Sequence, residues 1–311
     1  MSLLEFATQP TRDKTIMKQL YRVLRNVLRH PLNRQGKIAA IRRFINWQIA
    51  SRLAPGRIAV DWIGGTKFLA SQGEAGVTGN VYCGLSDFEE MSFLLHFLRK
   101  EDTFADIGAN AGIYTILASG VIGAKSVSFE PVPATYRRLL ANIAINNMED
   151  RVSAYNQALG STTGEILFSD SKDCMNRVVL DGSTKDVIRV PVSQLDQTIS
   201  QPITMIKLDV EGFEKSVLEG AGQTLANPDL KALIVELNGS GAAYGHTDDE
   251  VIAQLAEHGF EPFTYVPRER RLQSQTDAAS RPPNLIFLRD QSWVESRLVS
   301  ADSIIIREMS L

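Results

Sequence analysis

The chain has 311 residues, 44% of them apolar, and 33 Lys/Arg against 36 Asp/Glu give a net charge of −3. That suits one full α/β domain with appendages and a sizeable core. Two cysteines, Cys83 and Cys174, exclude a disulfide framework and a Cys-based zinc site and make the cytoplasm the default compartment; no apolar run approaches the roughly 18 residues of a bilayer span, and the N-terminus lacks a secretory signal's apolar core.

Charge is unevenly spread. Residues 1–60 hold 12 Lys/Arg against Glu5 and Asp13, a balance of +10 that leaves −13 for the remainder. Ile16 to Arg29 places Ile16, Leu20, Leu24, Val27 and Leu28 on one helical stripe, with Lys18, Arg22, Arg25 and Arg29 elsewhere. Pro31 ends that helix, and a second runs from about Ile38 to Leu53 before Pro55-Gly56. A basic helical extension at 1–56 is expected, its helices at 16–53 docking or forming a homo-oligomer with arginines on the wet face. The alternatives are an acidic partner or peripheral contact with an anionic membrane. Nucleic acid is not expected, because the rest of the chain is acidic and no aromatic-and-basic platform accompanies the helices.

The main domain is expected over 57–289, opening with a hairpin segment at 57–86 in which Gly64-Gly65 separates Arg57–Ile63 from Lys67–Ser71. A helix from Asp87 to Arg99 follows, and Tyr82, Ser86 and Glu90 are read equally as lying over the neighbouring site or as capping and packing residues. Next comes Phe104-Ala-Asp-Ile-Gly-Ala-Asn-Ala-Gly-Ile-Tyr-Thr115, a short buried strand that breaks at glycine and restarts as a helix. Such a junction points helix N-terminal amides at a ligand above the strand, and Gly108 and Gly112 would let it approach bare backbone. A second strand, Lys125-Ser-Val-Ser-Phe-Glu130, ends in an acid 22 residues after Gly108, where a carboxylate can take both hydroxyls of an adenosine ribose.

A dinucleotide site wants Gly-x-Gly-x-x-Gly, the second glycine admitting the pyrophosphate. Here that position is Asn110. S-adenosyl-L-methionine, which carries an amino acid and an adenosine but no phosphate, fits better. Asp106 could accept from its ammonium and the turn amides could receive its carboxylate. Ala109 and Tyr114 belong to the same turn and helix start. Gln157, just past the third strand Val152–Asn156, is a candidate for the adenine edge, with Ala158 beside it.

Gly164 to Phe168 and Val187 to Val192 read as strands around a polar loop, Ser169 to Lys185, with the character of a flap. Strands at Thr204–Asp209, Leu230–Leu237, Pro262–Val266 and Asn284–Leu288 then alternate with helices at Glu214–Ala221 and Asp248–His258. This alternation builds a mostly parallel, doubly wound α/β sheet with helices on both faces. Residues 290–311 read as a C-terminal tail. In Met205-Ile-Lys-Leu-Asp-Val-Glu-Gly-Phe-Glu214, Lys207 and Asp209 share one face of an apolar strand, which is costly unless they pair or meet a ligand.

Asp-Ile-Gly-Ala-Asn-Ala-Gly (106–112), Phe-Glu-Pro-Val-Pro (129–133), Asn-Gln-Ala-Leu-Gly (156–160) and Lys-Leu-Asp-Val-Glu-Gly-Phe-Glu (207–214) together resemble the FkbM family of S-adenosylmethionine-dependent methyltransferases. The likeness runs from about Tyr82-Cys-Gly-Leu85 to Asn284-Leu-Ile-Phe-Leu288. It implies a Rossmann-like seven-stranded methyltransferase sheet and O-methylation of a hydroxylated small-molecule acceptor, often a sugar or secondary metabolite. By the same likeness Asp106, Gly108, Asn110 and Gly112 hold the methionine part, Glu130 holds the ribose, and Lys207, Asp209 and Glu211 face the transferred methyl. Asp209 is the expected base, held ionised by Lys207, with Glu211 as runner-up. Glu236, Asn238 and His246 follow the next strand and are candidate substrate contacts. No metal is expected, for want of a third convincing ligand beside the paired carboxylates. A nicotinamide-dependent oxidoreductase and a non-catalytic glycan- or protein-binding module that keeps the cleft are the rival readings.

Overall fold

The computed structural model describes residues 10–169, 177–179, 187–275, 277, 281–307 and 309–311, with the side chains of 10–19 and 75 left aside. Most of the loop read as a flap therefore lies outside the described residues. The chain divides into two compact units, Met1–Ile58 with Ser71–Ser86, and Ala59–Ala70 with Asp87–Leu311.

The first unit contains helices α1 (Pro10–Arg29), α2 (Lys37–Leu53) and α3 (Ala75–Cys83). Pro31 stops α1 as expected. The fully buried Asn33 ties the three together: its amide nitrogen donates to Val27 O at 2.8 Å and Tyr82 O at 3.3 Å, and its carbonyl accepts from Arg43 Nη2 at 2.6 Å. Tyr82, for which a place over the site and a packing role are both open in the sequence, is a core residue of this unit. Its ring packs on Phe44 at 5.2 Å and its hydroxyl accepts from Gln48 at 2.8 Å. α3 carries Gly76, Thr78 and Gly79, all weak helix formers, so local pattern gave no sign of it.

In the second unit, β1 (Ile58–Asp61) and β2 (Lys67–Ala70) form the expected hairpin, closed by Trp62 N–H donating to Thr66 O at 2.7 Å. The main run is α4 (Phe88–Phe97), β3 (Thr103–Ile107), α5 (Ile113–Thr115) continuing as a π-helical stretch Ile116–Ile122, β4 (Lys125–Phe129), α6 (Pro133–Ile145) and β5 (Val152–Tyr155). A small sheet of β6 (Ala158–Leu159), β7 (Gly164–Ser169) and β8 (Val187–Ser193) follows, in the order β6-β8-β7. The alternation resumes with α7 (Leu195–Thr198), β9 (Met205–Leu208), α8 (Glu214–Glu219), α9 (Gly222–Ala226), β10 (Ala232–Glu236), α10 (Asp248–Glu257) and β11 (Glu261–Val266). The chain closes with β12 (Arg271–Ser274), β13 (Asn284–Leu288), α11 (Gln291–Val299), β14 (Ile305–Ile306) and β15 (Met309–Ser310).

The central sheet has eight strands in the order β12-β11-β13-β10-β9-β3-β4-β5. β10, β9, β3, β4 and β5 are mutually parallel and β13 runs antiparallel to both β10 and β11. Seven of these strands form the expected Rossmann-like sheet. The eighth, β12, pairs antiparallel with β11 at the edge; only Leu272 of its four residues is buried, so it carries no strand-like apolar run.

Pleating sorts the side chains. Ala105, Ile107, Val127, Phe129, Ile206, Leu208, Leu233, Val235, Leu285 and Phe287 face one core with Val217, Leu225, Val251 and Leu255 from the covering helices. Phe104, Asp106, Ser126, Ser128, Met205 and Lys207 point the other way by alternation, so the buried polar groups are gathered on a single face.

Residues 290–311, read as a tail, carry a helix packed into this unit. Val294 and Leu298 of α11 are fully buried. Arg297 pairs with Asp102, donates from Nε to Phe97 O at 2.7 Å, and lies over the rings of Phe97 (5.3 Å) and Trp293 (4.8 Å). Both partners are largely buried, and removing one leaves the other charge uncompensated, which typically costs 3–5 kcal/mol. Arg297→Ala should therefore lower unfolding stability by about 3 kcal/mol or more in urea titration; a loss within about 1 kcal/mol would reduce the pair to a surface contact.

Candidate active site

Strand order reverses between β3 and β9. From β3 the chain moves outward through β4 and β5, then returns to place β9 on β3's other side. In open α/β sheets this is where ligands bind, beyond the carboxyl ends of the strands.

Register decides which residues meet there. Ile107 pairs with Phe129 on one side and Leu208 on the other, and Leu208 pairs with Val235. The next residue of each strand therefore falls in one row, Glu236–Asp209–Gly108–Glu130, across four parallel strands spaced about 4.8 Å apart. Alternation puts this row on the same face as Asp106 and Lys207.

At the row's centre, β3 and β9 pass unusually close. Asp209 N–H donates to Ile107 O at 3.1 Å, and a Cβ on Gly108 would sit 1.8 Å from Asp209 O. Gly108 also has φ +81. A Cβ on Gly112, φ +82, would meet Leu139 Cδ1 at 2.4 Å. Backbone packing alone therefore requires glycine at 108, and the left-handed φ favours it at 112, besides any approach of a ligand to the turn. Three amides of the turn donate within the protein: Gly108 and Ala109 to Phe129 O at 3.0 and 2.9 Å, and Gly112 to Ala109 O at 2.8 Å.

Asn110 sits in the left-handed region at φ +50, which asparagine tolerates better than most residues. Its N–H donates to Glu130 Oε2 at 3.0 Å, while Val132 N–H donates to Oε1 at 2.9 Å. Glu130 thus bridges the glycine turn and the loop after β4, and burial pushes its carboxyl up to about 7 despite the two amides. Asp106, expected to meet an ammonium, is 1% exposed. Its Oδ2 accepts from Thr115 N–H at 3.0 Å and Thr115 Oγ1 at 2.6 Å, which ties the strand to the helix that follows. Burial raises its pKa.

Lys207 Nζ is 2.7 Å from Asp209 Oδ2 and 4.8 Å from the centre of the Tyr114 ring. Burial alone would pull the ammonium down, but Asp209 and Asp106 outweigh it and hold its pKa above the usual lysine value. Asp209, which burial would raise, is held below the usual carboxylate range by the same pair. Tyr114, buried, donates its hydroxyl to Asp87 Oδ2 at 3.0 Å. In the sequence Asp87 reads only as the start of a helix. Glu90 has a carboxyl that rises to about 7 by burial and also lies within the field of Lys207.

The side-chain oxygens of Asp209, Glu211 and Glu236 come within 4.8 Å of one another. Glu236 is the third carboxylate that the sequence reading lacked, since only the pairing of β10 with β9 brings it abreast of Asp209. Among the described residues this is the group whose donors are close enough to share a cation, and the Lys207 ammonium already stands beside it. Burial and the neighbouring Asp209 push Glu236 up to about 8. Glu211 has φ +55, an uncommon backbone state for glutamate, and the turn is held by Glu214, whose Oε1 accepts from Val210 and Gly212 N–H, both at 3.1 Å.

Four further candidates have contacts outside the row. His246 is buried and its Nε2 meets Gly212 O at 3.0 Å, so it props the Glu211 turn from behind. Asn238 is exposed and folds its carbonyl onto Ser240 N–H at 2.9 Å. The Gln157 amide nitrogen donates to Ser193 Oγ at 2.7 Å, towards β8, and Ala158 is buried in β6.

A mostly parallel Rossmann-like sheet, a self-supporting glycine turn after β3 and an acid after β4 define a methyltransferase-type domain. The chain belongs to the FkbM methyltransferase family: residues 106–262 match the Methyltransferase FkbM domain, half of the whole length. Among solved structures, the methyltransferase FkbM of Methylobacillus flagellatus KT is 17% identical over 68% of this chain, with a TM-score of 0.43. This chain spans about half, 52%, of that relative's length. TYW2 of Pyrococcus horikoshii, solved in complex with MeSAdo, is 13% identical over 76% of this chain and 70% of its own, with a TM-score of 0.40. At such identities and scores the fold is read from this chain's own strand order. No curated protein matches the chain.

The contact between β3 and β9 is directly testable. Gly108→Ala must displace a backbone carbonyl and adopt a left-handed φ, an expected loss of about 3 kcal/mol or more in urea unfolding. Gly222→Ala, with open space around it, should stay within about 1 kcal/mol of the parent. Equal effects would mean that the close approach does not constrain the turn.

Proposed function

We propose that this chain transfers a methyl group from S-adenosyl-L-methionine to a hydroxyl oxygen of a small acceptor, a sugar or a sugar-bearing metabolite. The observation that carries this reading is the row Glu236–Asp209–Gly108–Glu130 across the carboxyl edge of four parallel strands.

The row's charge is what distinguishes a sulfonium cofactor from a dinucleotide. Asp106, Glu130, Asp209, Glu211 and Glu236 lie on the face that carries Lys207, so acid groups outnumber the ammonium, although burial leaves Glu236 protonated and Glu130 partly so near neutral pH. A cofactor with a positive sulfur and an ammonium stabilises the ionised form of such acids, whereas a pyrophosphate would disfavour it. Glu130, fixed by two amides and with lone pairs remaining on both oxygens, is placed to accept from a ribose diol. When bound, the cofactor supplies an electrophilic methyl on a cationic sulfur that departs neutral.

Alignment of the acceptor oxygen is the largest task left to the protein. A base is the second, because an alcohol is a weak nucleophile until its proton is taken. The expected base, Asp209, is weakened as one by its 2.7 Å pairing with Lys207. Glu236 lies abreast of it and holds its proton more tightly. In this reading Lys207 and Asp209 orient the acceptor hydroxyl and Glu236 receives its proton. Glu211 lines the same crevice.

The sign of the pH dependence follows. Glu236, raised to about 8, is protonated and inert as a base below that value and ionised above it, so kcat/KM should climb through about pH 8. Glu236→Gln should remove that rise and lower kcat by roughly 100-fold or more. A profile unchanged in Glu236→Gln would take the role from Glu236. Asp209→Asn should lower turnover by a similar factor with S-adenosylhomocysteine affinity nearly intact.

The reading as a whole is tested by mass spectrometry of hydroxylated metabolites incubated with the enzyme and isotopically labelled S-adenosylmethionine, the expected product being a labelled methyl ether. Submicromolar NADH binding without S-adenosylhomocysteine binding would turn the assignment to an oxidoreductase. Bound S-adenosylhomocysteine with no labelled product would leave a binding module.

A further inference from the structure

α2 buries one side and exposes an equally apolar one. Ala40, Phe44, Trp47 and Ser51 are buried. At 100° per residue, Ile38, Ile45, Ile49 and Leu53 fall within one stripe on the opposite side, and they are 86%, 49%, 54% and 78% exposed. A helix that has already docked by one face would ordinarily present polar residues on the other. The stripe is about 22 Å long at 1.5 Å per residue, and its other members are Arg42 and Arg52, both exposed.

The charge pattern around it is one-sided. From Lys14 to Val60 the sequence contains 11 Lys/Arg and no Asp or Glu. On α1, Arg22, Arg25 and Arg29 are exposed. Arginines that merely solvate a helix are commonly interleaved with acids at i,i+4, which stabilises the helix and moderates its charge. From Lys14 onward, the absence of acids through the rest of α1, all of α2 and the connection between them leaves this stretch uniformly cationic.

We propose that the outward face of α2 docks this chain on an anionic lipid surface, Ile38, Ile45, Ile49 and Leu53 entering the headgroup–acyl boundary and Arg42 and Arg52 meeting lipid phosphates. Aliphatic side chains need a hydrocarbon phase, which nucleic acid does not offer. A second copy of the same face would bring its arginines against like charges. Long arginine side chains can lie along apolar surface and still reach headgroup oxygens, so the mixture of residue types suits a membrane boundary. The sequence reading favoured docking or dimerisation of these helices; the exposed stripe turns the choice to the lipid surface. This inference is independent of the chemistry proposed for the second unit.

The test is flotation of the full chain with vesicles of phosphatidylcholine alone and of phosphatidylcholine mixed with phosphatidylglycerol. The chain should float with the mixed vesicles and remain below with the neutral ones. Ile45→Ser combined with Ile49→Ser, and separately Arg42→Glu combined with Arg52→Glu, should each lower the bound fraction by about tenfold or more. Both variants alter exposed positions and should keep the parent's melting midpoint. High salt should weaken binding. Absence of binding to the mixed vesicles, equal binding to both kinds, or undiminished flotation of the serine variant would overturn the proposal. So would a dimer in sedimentation that the serine variant dissociates while the parent ignores vesicles, which would make the face an interface between copies.

Discussion

A buried ammonium organises the second unit. Lys207 lies on the central strand β9, where the sheet offers it no water, and the 2.7 Å contact with Asp209 is what makes its burial tolerable. The pairing has consequences outward from that point. It commits Asp209 to an ionised, oriented state, and it leaves proton affinity to be expressed by Glu236, which Asp209 and burial push up. Asp106 on one side and Asp87 on the other add to the field that keeps Lys207 charged. Lys207 is thus the cation around which Asp209, Asp106 and Asp87 act.

Close passage of two strand ends is the second constraint. Since Asp209 O occupies the space where a side chain at position 108 would lie, the glycine turn and the acidic turn after β9 are parts of one packing arrangement. The turn's amides are closed on Phe129 O and Ala109 O, and Glu130 clasps it from the next loop. His246 and Glu214 brace the other turn. The row of functional candidates is therefore rigidly supported from beneath, as a site that must align three atoms requires.

The first unit follows a different logic. Asn33 and Tyr82 supply its polar and aromatic centre, while α2 is apolar on both sides. Among the described residues no helix is long and apolar enough to cross a membrane, and the exposed aliphatic stripe of α2 has arginines within it.

Much of the fold could be read from residue order. Periodicity located β3, β4, β9, β10 and β13, because strands buried on both faces are continuous apolar runs ended by turns; β13 was read at its observed bounds, Asn284–Leu288. The motif from Asp106 to Gly112 and the acid at Glu130 were likewise legible, since a left-handed turn and a strand-end carboxylate leave marks in single residues. Tertiary structure alone decided the rest. α3 forms despite weak helix formers, β12 exists only because β11 offers it an edge, and α11 is held by Arg297 reaching Asp102 195 residues away. The glycines' true neighbours, the burial of Asp106 and Tyr82, and the placement of Glu236 beside Asp209 all depend on strand register and close approach. Local sequence specifies which residues can turn or pair, whereas the distances between them are set by packing across segments far apart in the chain.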